Sequence, residues 1–140
     1  MIHQAGLNLD TRAPVEIVDV TERVRAAVRA SGVRCGLAAV ATLHTTSGIR
    51  IGEAEPGLFA DLAEFLGGLA PAGRPYRHDR APVDGRANAH AHLAAFLLGA
   101  SESVPVRDGD LALGAWQRIF FVELDGPRHG RQVTVTVVGE

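Results

Sequence analysis

The sequence predicts an α+β fold in a single compact domain spanning residues 1–140, with a mostly antiparallel sheet and about three helices. Strand patterns open and close the chain, and the helical patterns lie between them. A length of 140 residues is sufficient for one hydrophobic core and too short for two comfortable domains. The content of 46% hydrophobic and 21% charged residues is typical of a globular protein.

The first third of the chain combines strand patterns with one helix. Thr21 is a good N-cap for that helix, and Ser31 and Gly32 end it. The apolar run Leu37–Leu43 predicts a buried strand. The predicted elements are strands at 2–11 and 15–20, a helix at 21–30 with Val24, Ala27 and Val28 at helical spacing, and strands at 37–43 and 49–51.

Two further helices are predicted in the middle of the chain. Pro56 opens the first, where a proline costs no hydrogen bond. Asn88 caps the second, which runs to Leu98 and ends at Gly99. Each helix carries one apolar stripe, and we expect the second stripe to face the core. The stripes are Leu58, Leu62, Phe65, Leu66 and Leu69 on the first helix and Ala89, Leu93, Phe96 and Leu97 on the second.

The remaining segments predict a long loop and then strands. Residues 70–86 are irregular, and a loop of this length inside a compact domain is usually functional or disordered. Asp108-Gly109 lies between two apolar runs, 103–106 and 111–113, which is a strong hairpin signal. Residues 115–124 are apolar on both faces and predict a central strand, whereas residues 132–138 alternate valine with threonine and predict a half-buried one.

Composition excludes several classes of protein. The net charge of −2 gives no reason to expect a nucleic-acid or anionic-membrane partner. The single cysteine, Cys35, excludes an internal disulfide and a multi-cysteine zinc site. The N-terminus lacks the pattern of a signal peptide, and no apolar run approaches the ~20 residues of a membrane span. We therefore expect a cytoplasmic protein without a membrane partner.

The most informative segment follows the buried-strand pattern directly. It places His44, the hydroxyls of Thr45, Thr46 and Ser47, and a glycine where a rigid strand opens into a turn. A histidine there can bind a metal or transfer protons near neutral pH. Hydroxyls and a glycine turn can hold an anion. A surface histidine that merely ends a strand is the alternative interpretation.

Other histidines extend this candidate site. His90 and His92 are two residues apart, so on a helix they point roughly 160° away from each other. His92 is the better candidate because Asn88 lies one turn back on the same side. With His44 and with His78 of the long loop, it would supply three nitrogen ligands and an open fourth position, as in catalytic zinc sites. For each histidine, a partly exposed side chain without a chemical role is the alternative.

Several other side chains are candidates for the same site. Glu53 follows a predicted strand and could serve as a general base, or be a solvated surface charge. Arg128 lies beside the turn that Asp125 begins, and its guanidinium could hold a phosphate through two hydrogen bonds, or pair with Asp125 only to hold the turn. Trp116 and Gln117 offer an aromatic face and an amide, although a core position is the alternative for the tryptophan.

These motifs, in this order along essentially the whole chain, resemble the YjbQ family, an uncharacterised family also called UPF0047. The resemblance implies a compact α+β protein that assembles as a homotrimer. The segments that carry it are His44–Gly48, Tyr76–His78, Asn88–Leu93, Leu98–Ser101, Val104–Val106, Gly114–Gln117, Asp125–Arg128 and Val137–Glu140.

The resemblance also implies an activity. It indicates a secondary thiamine-phosphate synthase, which transfers a hydroxymethylpyrimidine pyrophosphate onto a thiazole phosphate and releases pyrophosphate, with a divalent metal, zinc, bound by histidines. The alternatives are a zinc-dependent hydrolase and a non-catalytic protein that binds a small molecule or metal. The candidate residues are His44, Glu53, Asn88 and Arg128 for catalysis; Thr45, Thr46, Ser47, Trp116, Gln117, Asp125 and Arg128 for substrate; and His44, His78 and His92 for metal.

The chain departs from the family pattern at two positions. The family usually carries an acidic residue where this chain has His90, and an asparagine where it has Gly52. We expect both positions to lie near the site, so that they alter the metal or the substrate.

Overall fold

A computed structural model describes all 140 residues and contains eight strands and three α-helices. The strands form two antiparallel sheets, in the orders β1-β8-β3-β5-β6 and β2-β7-β4. The α+β prediction is therefore confirmed. The elements are β1 Ile2–Leu9, β2 Glu16–Asp19, α1 Thr21–Ser31, β3 Cys35–Thr42, β4 Ser47–Gly52, α2 Pro56–Leu69, α3 Ala89–Leu98, β5 Ser101–Arg107, β6 Asp110–Leu111, β7 Arg118–Glu123 and β8 Arg131–Gly139.

The main core lies where one face of each sheet meets α1. The predicted apolar positions of α1 are buried there, together with inward-facing residues of both sheets such as Val40, Val135 and Phe121. Strand β7 is covered on both faces, because Phe120 and Val122 belong to a second cluster with residues of α2 and α3. The prediction of a central strand is thus confirmed, and the three-stranded sheet separates α2 and α3 from the main core.

The predicted core-facing stripe of α3 is wrong for three of its four residues. Leu93, Phe96 and Leu97 are 44%, 85% and 63% exposed; of the stripe only Ala89 is buried, and Ala91 and Ala94 are buried beside it. The cause is a close approach of α3 to β4. A Cβ atom at Gly48 would lie 2.9 Å from the Leu98 Cβ and 3.0 Å from the Gly99 carbonyl oxygen, so there is room only for small side chains between the two elements.

Helix α2 also leaves most of its stripe uncovered. Of the five stripe residues only Leu66 is fully buried, and Leu58, Phe65 and Leu69 are exposed. The helix begins as predicted at Pro56, where the Glu55 carboxylate accepts hydrogen bonds from two backbone N–H groups of the first turn. None of the three helices combines the length and apolar character that a membrane crossing requires.

Two predicted caps differ from the structure, and the predicted hairpin is confirmed. Thr21 is the first residue of α1, and its hydroxyl accepts a hydrogen bond from the Ile119 N–H, which ties the helix to β7. Asn88 occupies the N-cap position of α3 without a side-chain cap; its amide donates to Asp125, and Asp79 accepts the Ala89 N–H. Residues 108 and 109 have φ of 53° and 82° and join β5 to β6, as an Asp-Gly turn requires.

Candidate functional site

A polar cleft lies between the β3–β4 turn, the N-terminal half of α3 and the turn after β7. Its volume is about 260 Å³. An apolar hollow of about 360 Å³ adjoins it and shares three lining residues with it, His44, Thr45 and His92. His44 and His92 therefore line the same site, as the sequence predicts. The residues of the polar cleft are Leu43, His44, Thr45, Thr46, Asp84, Asn88, His92, Arg128 and Arg131.

His44 is held as a neutral imidazole. Its Nε2 atom accepts a hydrogen bond of 2.9 Å from the Gln132 backbone N–H, which leaves the proton of the neutral ring on Nδ1. Burial lowers the pKa of His44, and the nearby Arg131 guanidinium lowers it further. The ring can therefore donate a hydrogen bond through Nδ1 at neutral pH, while Nε2 is already engaged.

The three hydroxyls that follow His44 have different positions. Thr45 is exposed at the cleft, whereas Thr46 and Ser47 are 4% and 2% exposed. The Thr46 hydroxyl accepts a hydrogen bond of 2.8 Å from Arg131, and the Ser47 hydroxyl lies 2.7 Å from that of Thr42. Thr45 is thus the hydroxyl available to a ligand, and the other two fix the shape of the turn.

The most important pair of residues behind the cleft was not predicted from the sequence. The Arg131 guanidinium donates to both carboxylate oxygens of Glu123, at 2.9 and 2.5 Å, and both side chains are buried. Burial alone would raise the pKa of Glu123, but hydrogen bonds from Arg131, the Asp125 N–H and Thr11 outweigh it and hold the pKa below its ordinary value. One feature of the sequence could have identified this pair: Arg131 lies two residues before Val133, on the inward-facing side of β8.

Asp125 is the second organising carboxylate. Arg128 donates to it through Nη2 at 2.7 Å, and Asn88 donates through Nδ2 at 2.7 Å. Burial opposes ionisation of Asp125, but the bonds from Asn88 and Arg128 and the charge of Arg86 hold its pKa below the ordinary value. Asp125 therefore positions the cleft residues, and Arg128 both holds the turn and lines the cleft.

The three histidines proposed as metal ligands do not form a metal centre within one chain. The rings of His78 and His92 lie 4.8 Å apart, centre to centre, and His78 is hydrogen-bonded to Asp79. His44 lines the cleft with His92, but its Nε2 atom is engaged by the backbone. No three histidine, cysteine, aspartate or glutamate side chains are grouped in a way that could hold a metal ion.

His90 lies on the other flank of α3, as helical geometry predicts. It lines a separate cavity of about 50 Å³ with apolar residues of α2 and α3 such as Leu66 and Ala94, and its Nδ1 atom is buried without a hydrogen-bond partner. His90, one of the two positions where the chain departs from the family pattern, was expected to lie near the site. That expectation is wrong, because His90 does not line the polar cleft.

Four other predicted positions lie at the opposite end of the β4–β7 pair. Ser47 pairs with Glu123 at the cleft end, whereas Gly52 pairs with Arg118 at the other end, ~17 Å away by strand geometry. Gly52, Glu53, Trp116 and Gln117 are found there and do not line the cleft. Trp116 precedes β7 in a turn and is 76% exposed, so the alternative of a core position is wrong for it.

The chain matches the family model described as "UPF0047 protein YjbQ-like" over residues 5–140. A UPF0047 protein of Archaeoglobus fulgidus is 50% identical over 127 residues, which are 91% of this chain and 95% of the relative. One of Methanothermobacter thermautotrophicus is 42% identical over 139 residues, or 99% and 94% of the two chains.

Solved structures are also similar to this chain over essentially its full length. A YbjQ-like protein of unknown function from Sulfolobus solfataricus superposes with a TM-score of 0.95 at 37% identity, covering 100% of this chain and 99% of that one. A hypothetical protein from Aeropyrum pernix gives a TM-score of 0.91 at 39% identity, with 98% of each chain covered. The chain therefore belongs to the YjbQ (UPF0047) family.

Proposed function

We propose that the polar cleft binds a small phosphorylated molecule, and that the protein acts on it as a transferase of the thiamine-phosphate synthase type. One observation carries the binding proposal. Two guanidinium groups, those of Arg128 and Arg131, line one small cleft, and neither uses its Nη1 atom in a hydrogen bond to protein.

The two guanidinium groups are fixed before any ligand arrives. Glu123 holds Arg131 and Asp125 holds Arg128, each through hydrogen bonds shorter than 3 Å. Fixed donors aimed at one region are suited to phosphate oxygens, because no rotamer freedom is lost when the anion binds. The hydroxyl of Thr45 and the Nδ1–H of neutral His44 are further donors at the same cleft.

The transferase proposal extends this argument to a reaction. Transfer of a hydroxymethylpyrimidine group from its pyrophosphate to a thiazole phosphate involves two phosphorylated substrates and a pyrophosphate leaving group. Negative charge increases on that leaving group as its bond breaks, so preorganised guanidinium donors stabilise it. The adjoining apolar hollow, which shares His44 and His92 with the cleft, offers space for a ring.

The zinc-dependent hydrolase is the less supported alternative. It requires three ligands around one metal, and His44, His78 and His92 are not arranged in that way within one chain. We therefore assign no step of the reaction to a metal and describe only the donors of the chain.

Calorimetric titration with pyrophosphate, followed by an assay of pyrophosphate release with each substrate alone and with both, tests the proposal. We expect binding, and release only when both substrates are present. Binding without release would indicate a non-catalytic binding protein. Release of phosphate from one substrate, abolished by a chelator, would indicate the hydrolase, and no binding of pyrophosphate would contradict the whole proposal.

A further inference from the structure

A second cavity, which we call the α2 cavity, lies between α2 and the sheet β2-β7-β4. Its volume is about 240 Å³, and it shares no lining residue with the polar cleft or with the apolar hollow. The helix contributes Leu58, Phe59 and Leu62, and the sheet contributes Ile17 and Phe120. Two residues of the predicted α2 stripe, Leu58 and Leu62, therefore form one wall of a cavity.

The interior of the α2 cavity is apolar and partly aromatic. Eight of its eleven lining residues are hydrophobic. The rings of Phe59 and Phe120 meet edge to face in its wall, with their centroids 5.3 Å apart. An apolar cavity of about 150 Å³ is already large enough to bind benzene, and aromatic rings gain edge-to-face contacts in addition to the burial of their surface. The α2 cavity therefore has the volume and the lining for one substituted aromatic ring.

Gly52 lines the α2 cavity without being required by the backbone. It lies in strand β4, and its φ is not in the left-handed region. A Cβ atom there would lie 3.5 Å from the Phe120 Cε2 atom, an ordinary contact, and would meet nothing else within 4 Å. The asparagine that the family usually carries at this position would add polar atoms beside the Phe120 ring. The glycine of this chain therefore leaves the edge of the cavity open and apolar.

The mouth of the α2 cavity carries one free charge, the carboxylate of Glu53. This side chain is exposed, lines the cavity and forms no ion pair. The arginines at this end of the sheet are already neutralised, because Arg50 pairs with Glu102 and Arg118 pairs with Asp19. An apolar interior with a single negative charge at its mouth is complementary to an apolar molecule that carries one positive charge.

We propose that the α2 cavity is a second ligand site, which binds a small aromatic molecule with a cationic amino group, such as an arylalkyl amine. The ring lies against Phe59 and Phe120, and the ammonium group pairs with Glu53. Burial of the ring supplies most of the affinity, whereas the carboxylate selects a cation over a neutral group of the same shape. The site is separate from the polar cleft and its test uses no phosphorylated molecule, so it stands or fails independently of the proposed function.

Titration with benzylamine and with benzyl alcohol, followed by NMR of the isoleucine methyl groups, tests the proposal. The two probes have nearly the same shape, and only the amine is charged at pH 7. We expect the signals of Ile17 and Ile51, which line the cavity, to shift together with one dissociation constant. The signals of the other isoleucines should stay in place, namely Ile2 on β1 and Ile49 and Ile119 in the main core. Benzylamine should bind about two- to five-fold more tightly than benzyl alcohol, the range of a solvent-exposed ion pair.

Three variants separate the parts of the proposal. Glu53→Gln should bind the two probes equally, whereas Glu64→Gln, which removes the same charge from an exposed position of α2, should keep the preference for benzylamine. Gly52→Asn should weaken the binding of both probes several-fold, and circular dichroism confirms that it is folded.

The opposite results would overturn the proposal. Unmoved Ile17 and Ile51 signals, or shifts spread over all five isoleucines, would remove the site. Equal binding of the two probes by the wild type would contradict a cationic ligand, as would a preference for benzylamine that survives in Glu53→Gln. Unchanged affinity in Gly52→Asn would contradict the role given to that glycine.

Discussion

The two ends of the β4–β7 strand pair differ in the burial and hydrogen bonding of their polar side chains. At the cleft end, Glu123 and Asp125 are buried or half-buried and accept several hydrogen bonds from arginine and asparagine. At the opposite end, Glu53 and Trp116 are exposed, and Glu53 has no ion-pair partner. The cleft end is therefore organised by buried, fully paired carboxylates, whereas the opposite end leaves the Glu53 carboxylate and the Trp116 indole exposed.

The largest expected difference between the ends is in stability. Glu123→Gln leaves the Arg131 guanidinium buried without its counter-charge, so we expect the free energy of unfolding to fall by about 3–5 kcal/mol. Glu53→Gln, at the other end, should change it by about 0.5 kcal/mol or less. Urea unfolding of both variants beside the wild type, at the same protein concentration, measures the two losses. Equal losses would mean that the ends do not differ as described.

The second difference is in ligand affinity. Arg128→Lys keeps the positive charge but loses the planar donor group, so pyrophosphate binding should weaken by about 1–3 kcal/mol. Arg118→Lys is the matched control, because Arg118 pairs with Asp19 and Glu22 at the opposite end. Calorimetric titration of both variants measures the effect. A drop in melting temperature without a loss of affinity in Arg128→Lys would restrict Arg128 to holding the turn.

A smaller effect concerns pH. Because the pKa of His44 in the folded protein lies below its ordinary value of 6.5, folding favours the neutral ring. That contribution to stability is present above pH 6.5 and decreases as the pH falls below it. His44→Gln should flatten the dependence of unfolding free energy on pH in this range, and urea unfolding at a series of pH values measures the effect.

Acid stability provides an independent check on the buried carboxylate. The pKa of Glu123 is held below its ordinary value of 4.5, so its contribution is complete above that pH and is lost as the pH falls through the folded pKa. The wild type should therefore lose stability in acid more steeply than Glu123→Gln. Parallel curves for the two proteins would contradict the assignment of Glu123 as ionised in the folded state.

The smallest expected effects are at α3. His90→Leu removes a buried, unpaired Nδ1 atom from an apolar cavity, so stability should rise by roughly 1 kcal/mol or less and pyrophosphate affinity should not change. His92→Leu, on the flank that lines the cleft, should lower the affinity. A loss of affinity in His90→Leu equal to that in His92→Leu would show that the two flanks are not separate.

The sequence predicted helix orientation correctly where the apolar face of the helix packs against the main core. Val24, Ala27 and Val28 of α1 face the main core, as their spacing indicates. In α3 the same reasoning selected Leu93 and Phe96, which are exposed. Periodicity shows that a helix has an apolar face, but it does not distinguish a face that packs against the core from one that is left exposed.

Only part of the candidate site could be predicted from the sequence. His44, His92, Asn88 and Arg128 follow strands or flank a helix, and the fold brings them together. Arg131 was missed, because the inward alternation of β8 was attributed to its valines alone. The pairing that places Trp116 and Glu53 at the other end depends on strand register, which local patterns do not reveal.

The most direct test of the ligand site is a titration of the histidine imidazole resonances with pyrophosphate, followed by NMR. The position of the polar cleft predicts that the signals of His44 and His92 shift together with one dissociation constant. Those of His3, on the edge strand β1, and His90, in its separate cavity, should stay in place. Unmoved His44 and His92 signals, or shifts confined to other histidines, would contradict the assignment of the cleft as the phosphate site.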